Sequence, residues 1–260
     1  MQGTGNDFII IDEFKKIAIK ERSDFAVKAC DRRFGIGADG VLFLSKSSVA
    51  DIKMELFQPD GSEAEMCGNG IRCLVTHAIN SGHVPRGKVT VETKAGVLEV
   101  NAKKESVVVD MGEPKFARCD IPAEGAEDHF IESMYGHVVS AVNIGVPHAV
   151  IFVDDLDLDI LDVALKIRFD PVFSQGANVN FVKVDGNTLF VRTYERGVEF
   201  ETLSCGTGAV ASAAVANQMG LIGSAATVKT RGGELKITLK NRRAFMEGPA
   251  DTVFKGTYYA

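Results

Sequence analysis

The chain of 260 residues has five cysteines but no CxxC pair, no long apolar run, no excess of positive charge and no stretch dominated by Gly, Ser or Pro. Each absence removes a class of protein. Without CxxC spacing, Cys30, Cys67, Cys73, Cys119 and Cys205 suggest no structural zinc site, and an odd number does not make a disulfide framework. Reduced thiols in a cytoplasm are the expectation. A membrane-crossing helix needs about 18 or more consecutive apolar residues, and the opening Met1-Gln2-Gly3-Thr4-Gly5-Asn6 has neither the charged start nor the apolar core of a signal peptide. A net charge of -6 argues against nucleic acid or an anionic membrane as the main partner. What is present is 45% hydrophobic residues, enough for packed cores in two domains of ordinary size.

The most informative feature is a repeat. Cys67-Gly68-Asn69-Gly70 has a second copy in Cys205-Gly206-Thr207-Gly208, and each copy opens an apolar run. Val91-Glu92-Thr93-Lys94-Ala95-Gly96 recurs as Val228-Lys229-Thr230-Arg231-Gly232-Gly233, Phe57 to Gly61 answers Tyr194 to Gly197, and Gly5 to Asp12 has a weaker echo in Gly145 to Asp154. Correspondences in order and at nearly constant offset imply the same fold twice.

Periodicity predicts strands at 8–12, 41–44, 51–57, 89–93, 97–101 and 106–111, with helices at 21–33 and 68–80. Gly112 to Ile121 reads as the crossing into the second half. There, strands are expected near 137–143, 148–153, 179–184, 188–194, 226–230 and 234–239, and helices at 154–168 and 206–219. The acidic run Asp154, Asp155, Asp157 and Asp159 reads as the solvated first turn of that first helix. Gly35-Ile36-Gly37-Ala38-Asp39-Gly40 has GxGxxG spacing but follows a helix and enters a strand, the reverse of the order a dinucleotide site needs.

The cysteine copies carry the chemistry. A cysteine at a glycine-flanked helix start meets free N–H groups and the positive end of the helix dipole, which favour thiolate over thiol. Inverting a carbon centre by moving a proton needs one acid/base group on each of its faces. Two matched thiols supply both, and two helix starts stabilise the carboxylate into which negative charge spreads. An α-amino acid is the natural substrate class, and this logic requires neither metal nor organic cofactor. Cys73, six positions after Cys67, reads as core, and Cys30 and Cys119 as inert thiols.

Further motifs support this assignment: Gly3-Thr4-Gly5-Asn6-Asp7-Phe8, Asp60-Gly61-Ser62-Glu63 running into Met66-Cys67-Gly68-Asn69-Gly70-Ile71-Arg72-Cys73, Gly145-Val146-Pro147-His148, Asn178-Val179-Asn180-Phe181, and Tyr194-Glu195-Arg196-Gly197 through Glu201-Thr202-Leu203-Ser204-Cys205. With the Gly35 to Gly40 stretch they span nearly the whole chain, which resembles the diaminopimelate epimerase family, cofactor-independent enzymes that interconvert LL- and meso-diaminopimelate for lysine and peptidoglycan precursors. The resemblance implies an α+β fold of two pseudo-symmetric domains, each a curved mixed sheet wrapped around a central helix. The halves would be 1–113, completed by a C-terminal strand at 252–260, and 114–251, with substrate between them. Cys67 and Cys205 would be the two acid/base residues. Gly68, Asn69, Gly206 and Thr207 would hold the reacting α-carboxylate, and Asn6, Asn178, Glu195 and Arg196 the rest of the substrate. Arg196 is suited to bidentate pairing with the distal carboxylate. Gln58 stands where the family usually has Asn, and Val146 where some members have a ligand Asn. The resemblance brings His148 near Glu195, where it can help deprotonate a thiol. No metal, nucleic acid or membrane partner is implied, and a homodimer is compatible with it. The alternatives are another cysteine-pair racemase of this fold, such as one acting on proline, and a non-catalytic amino-acid-binding protein.

Overall fold

A computed structural model describes residues 1–15 and 19–259 of the chain. It divides into two compact units, Met1–Asp110 with Glu247–Ala260 and Met111–Met246.

In the first unit the strands are β1 (Gln2–Gly3), β2 (Asn6–Asp12), β3 (Gly40–Ser45), β4 (Ile52–Phe57), β5 (Glu63–Ala64), β6 (Gly87–Thr93), β7 (Gly96–Ala102) and β8 (Val107–Asp110); the helices are α1 (Arg22–Cys30) and α2 (Gly68–Asn80). β2 runs parallel to β3, β3 antiparallel to β4, β4 parallel to β6, and β6, β7 and β8 continue antiparallel. β3 is a continuous apolar run because both faces of its sheet are covered. Val41 and Phe43 pack with Ala26, Ala29 and Cys30 of α1, while Leu42 points to the start of α2, within reach of Gly70. α2 carries the chemistry and buries the stretch from Gly68 to Val75.

The second unit repeats the plan. After β9 (Ile131–Met134) come β10 (His137–Asn143), β11 (Pro147–Phe152), α3 (Leu161–Arg168), β12 (Asn178–Asp185), β13 (Thr188–Glu195), β14 (Phe200–Thr202), α4 (Gly206–Gln218), β15 (Ala225–Thr230) and β16 (Gly233–Lys240). β17 (Arg243–Gly248) then carries the chain back to the first unit. β11 is parallel to β12, β12 antiparallel to β13, β13 parallel to β15 and β15 antiparallel to β16. That is the order of parallel and antiparallel pairings seen from β2 to β7. α4 contacts β10, β11, β12, β13, β15 and β16 and is buried from Gly208 to Ala216. A helix apolar all round is one surrounded on all sides, and its small Ala and Gly residues let the strands come close.

Three expectations need correction. The helix at 154–168 begins only at Leu161. Before it, Asp155 Oδ1 accepts from Asp157 N and Asp159 Oδ1 from Leu161 N, Asx turns that compete with helical bonding. The acidic run is therefore a looped approach rather than a first turn. Residues 252–259 contain no strand; Asp251 bridges Gln2 and the chain then runs largely exposed, with Tyr258 against Phe25 of α1. This segment follows Pro249 and lacks the apolar alternation that a strand would bury on one face. The last strand is instead β17, where buried Ala244, Met246 and Gly248 alternate with Phe245 and Glu247. The helix at 21–33 ends at Cys30, because Asp31 Oδ1 caps the amides of Arg33 and Phe34 in a turn.

Candidate active-site residues

Cys67 has extended backbone angles and is the N-cap of α2, its Sγ accepting from Gly70 N at 3.4 Å. Cys205 is the N-cap of α4, also extended, its Sγ accepting from Gly208 N at 3.4 Å. Each helix has 13 residues. In both, the sulfur takes the place that Ser, Thr or Asp usually holds at an N-cap, receiving one of the amides that the helix cannot satisfy itself. A thiolate accepts such a bond better than a thiol does, and the dipole acts in the same sense.

Around Cys67, the Sγ donates to Asn6 Oδ1 at 3.7 Å, and that oxygen also receives Asn69 Nδ2 at 3.3 Å. Asn69 is buried, its Oδ1 accepting from Arg72 Nη1 at 2.9 Å. Arg72 is itself fully buried and donates further to Gly68 O, Thr4 Oγ1 and Pro249 O. Burial pushes its guanidinium downward from its ordinary range, opposed by the neighbouring Cys73 and Cys67. Gln58, by contrast, is exposed in the turn joining β4 to β5, where its backbone N–H donates to Ser62 O.

Around Cys205, Thr207 Oγ1 lies 3.4 Å from Sγ. Period-two alternation turns Asn178 and Asn180 away from Val179 and Phe181, which enter the core with α3. Asn180 meets His148 Nδ1 at 3.1 Å, donates to Ala149 O at 3.0 Å and accepts from Thr193 Oγ1 at 3.0 Å. These side chains define the floor under α4: a Cβ on Gly208 would stand 2.5 Å from Asn180 Oδ1 and 3.0 Å from Thr193 Oγ1. Only glycine lets this helix start lie so low. Asn178 Oδ1 accepts from Arg196 N at 2.8 Å, and Arg196 Nη1 donates to Gln175 O at 2.8 Å. Glu195 Oε2 accepts from Thr202 Oγ1 at 2.9 Å.

His148 is fully buried. Burial, with the charge of Arg196 in the same direction, depresses it to about 3 against the hydrogen bond from Asn180. Since Asn180 Nδ2 can only donate, Nδ1 accepts and Nε2 carries the proton, with no hydrogen-bond partner among the described residues. The imidazole is thus neutral over the physiological range. Cys73 is buried with its thiol raised to about 12, and Cys30 to about 11, by burial first in both cases. Both fit inert core thiols. Among the described residues, no group of three or more His, Cys, Asp or Glu is placed to hold a metal ion.

The structure therefore gathers Asn6, Cys67, Gly68 and Asn69 in the first unit, and His148, Asn178, Arg196, Cys205 and Thr207 in or next to one neighbourhood in the second. Sequence reasoning missed Arg72, Asn180 and Thr193 as parts of it. Asn180 was legible from its i, i+2 relation to Asn178, and Arg72 from being the one charge inside Ile71-Arg72-Cys73-Leu74-Val75. Nothing local marks Thr193.

A duplicated sheet-and-helix unit with a cysteine capping each central helix fits an isomerase of the amino-acid epimerase and racemase class. The family model for diaminopimelate epimerase matches residues 1–117 and 140–253. The diaminopimelate epimerase of Methanocella arvoryzae is 55% identical, the match covering 98% of this chain and 94% of that protein; that of Archaeoglobus fulgidus is 49% identical, over 98% and 94%. The chain belongs to the diaminopimelate epimerase family. Solved structures share the fold at low identity: a Bacillus anthracis phenazine biosynthesis protein of the PhzF family (TM-score 0.71, 18% identity, 96% and 92% covered) and a probable proline racemase from Agrobacterium radiobacter (0.61, 19%, 88% and 77%).

Proposed function

We propose that the chain interconverts LL- and meso-diaminopimelate, with Cys67 and Cys205 as the two acid/base groups acting on opposite faces of one α-carbon. The observation that carries this reading is the identical capping of α2 and α4 by a thiol, each sulfur 3.4 Å from the third amide of its helix. In one direction one thiolate takes the α-proton and the other thiol returns a proton to the far face; in the reverse direction the roles exchange. Gly68, Asn69, Gly206 and Thr207, at the two helix starts, receive the reacting carboxylate and the charge that delocalises into it. Asn6, Gln58, Asn178, Glu195 and Arg196 hold the remainder, Arg196 pairing with the distal carboxylate. His148, neutral and buried, supports this arrangement through Asn180 rather than by charge.

The same reading puts the enzyme in a reducing cytoplasm, where both thiols stay free, and as a homodimer, which light scattering checks. Purified protein without added pyridoxal phosphate is expected to convert LL- to meso-diaminopimelate in a chiral assay. Cys67→Ala and Cys205→Ala should each lose roughly 10²–10⁴-fold in turnover while still binding the substrate. An unimpaired single variant would remove that cysteine from the mechanism.

A further inference from the structure

The Gly35 to Gly40 stretch, read above as no nucleotide site, reaches Asn6, the partner of the Cys67 thiol, through Asp39. Asn6 Nδ2 donates to Asp39 Oδ2 at 2.7 Å. Asp7 N donates to the same oxygen at 3.2 Å, and Asp39 N donates back to Asp7 Oδ1 at 3.1 Å. Arg32 lies across both: its Nη2 is 2.7 Å from Asp7 Oδ1 and 2.7 Å from Asp39 Oδ1, and its Nη1 is 3.1 Å from Asp7 Oδ2. Burial alone would raise the Asp7 carboxyl, but the bonds from Arg32 and Asp39 hold it below its ordinary value.

An ionised carboxylate accepts and never donates. Asn6 therefore turns its NH₂ toward Asp39, which leaves its oxygen facing Cys67 Sγ and Asn69 Nδ2. We propose that Asp39, clamped by Arg32, is a positioning residue of this epimerase: it fixes the Asn6 amide so that Oδ1 is presented to the Cys67 thiol.

The two thiols are then not equivalent. Cys67 has a carbonyl oxygen that can only accept its proton, which favours the thiol form. Cys205 has the Thr207 hydroxyl, which can donate or accept and so serves either form. The inference rests on Cys67 being a proton carrier in the proposed reaction, but its test does not.

The test uses the full chain carrying Cys205→Ala. Alkylation of Cys67 by iodoacetamide is followed against pH by site-resolved mass spectrometry, with the exposed Cys119 as internal reference. Arg72 and Cys73 on α2 also bear on Cys67 and are left unchanged throughout. Asp39→Ala frees the Asn6 amide, so the Cys67 midpoint is expected to move to lower pH while that of Cys119 stays. Removing a negative charge would by itself act in the same direction, and a double-mutant cycle separates the two causes. In an Asn6→Ala background the positioning effect has nothing to act through, and Asp39→Ala should shift the midpoint only by what the lost charge contributes, less than in the parent background. With Cys205 restored, Asp39→Ala should lower kcat/KM several-fold, roughly, with its melting temperature near that of the parent, since exposed ion pairs add little stability.

An unmoved Cys67 midpoint in Asp39→Ala, or shifts from Asp39→Ala and Asn6→Ala that simply add, would overturn the proposal. If Asp39→Ala does not fold, Asp39→Ser is assessed by the same criteria. Because alkylation needs no substrate, a failure of the proposed reaction would show as absent turnover with the alkylation pattern intact.

Discussion

At the scale of single residues, the surroundings of the two cysteines are alike in their sulfur bonds and unlike in what lies beneath them. Gly70 has Leu42, Cys67 and Phe8 at 3.3 to 3.5 Å from where a Cβ would stand, whereas Gly208 has Asn180 Oδ1 at 2.5 Å. Alanine is a better helix former than glycine by about 1 kcal/mol, which offsets a mild contact but not a collision. Gly70→Ala is therefore expected to stay within about 1 kcal/mol of the parent in urea denaturation. Gly208→Ala should lose about 1–3 kcal/mol and displace Cys205 with it, so that activity falls more than stability accounts for. Equal effects would mean that the floor under α4 yields. The cysteines, the glycines and Arg196 were legible in the sequence because chemistry singles them out by type. Gln58 was equally legible, and the structure leaves it exposed in a turn.

At the scale of elements, β11 and β12 hold the most consequential titration. His148 on β11 takes up a proton near pH 6.5 in the unfolded chain and only near about 3 when folded. Between those values the unfolded state binds more protons, so acid favours unfolding. Stability should fall by up to about 1.4 kcal/mol per pH unit as pH is lowered below 6.5. Urea titrations at pH 7, 6 and 5 should show this slope in the parent and its absence in His148→Gln; the same slope in both would place the proton elsewhere. Long elements were readable from pattern alone: α2 and α4 start at the expected glycines, β3 is a short apolar run, and β6 and β7 are Val-rich runs joined by a turn. The two- and three-residue strands β1, β5 and β14 are too short to carry a period. The approach to α3 was misread because acidic residues that suit a helix start also cap turns.

At the scale of the whole molecule, the repeat was the most powerful signal, since it gave a duplicated fold, a pair of cysteine-bearing helices and a reason for two cysteines at once, while the fold class came with the family resemblance. The shared sequence of pairings in β2–β7 and β11–β16 supports duplication independently of any residue identity. What the repeat concealed is its own divergence. Asn69 answers Thr207, and Arg72 answers Val210 at the same offset, so one cysteine-capped helix is built on a buried cation and the other is a neutral apolar helix. The central claim is that two different groups handle the α-proton. The measurement that tests it most directly is a single-direction conversion of LL-diaminopimelate in D₂O, stopped early, with deuterium at the α-carbon located by NMR in both stereoisomers. Two thiols acting from opposite faces predict deuterium in the meso product and protium retained in the recovered LL substrate. Deuterium appearing equally in recovered substrate, or inversion with the original protium retained, would mean that a single base serves both faces.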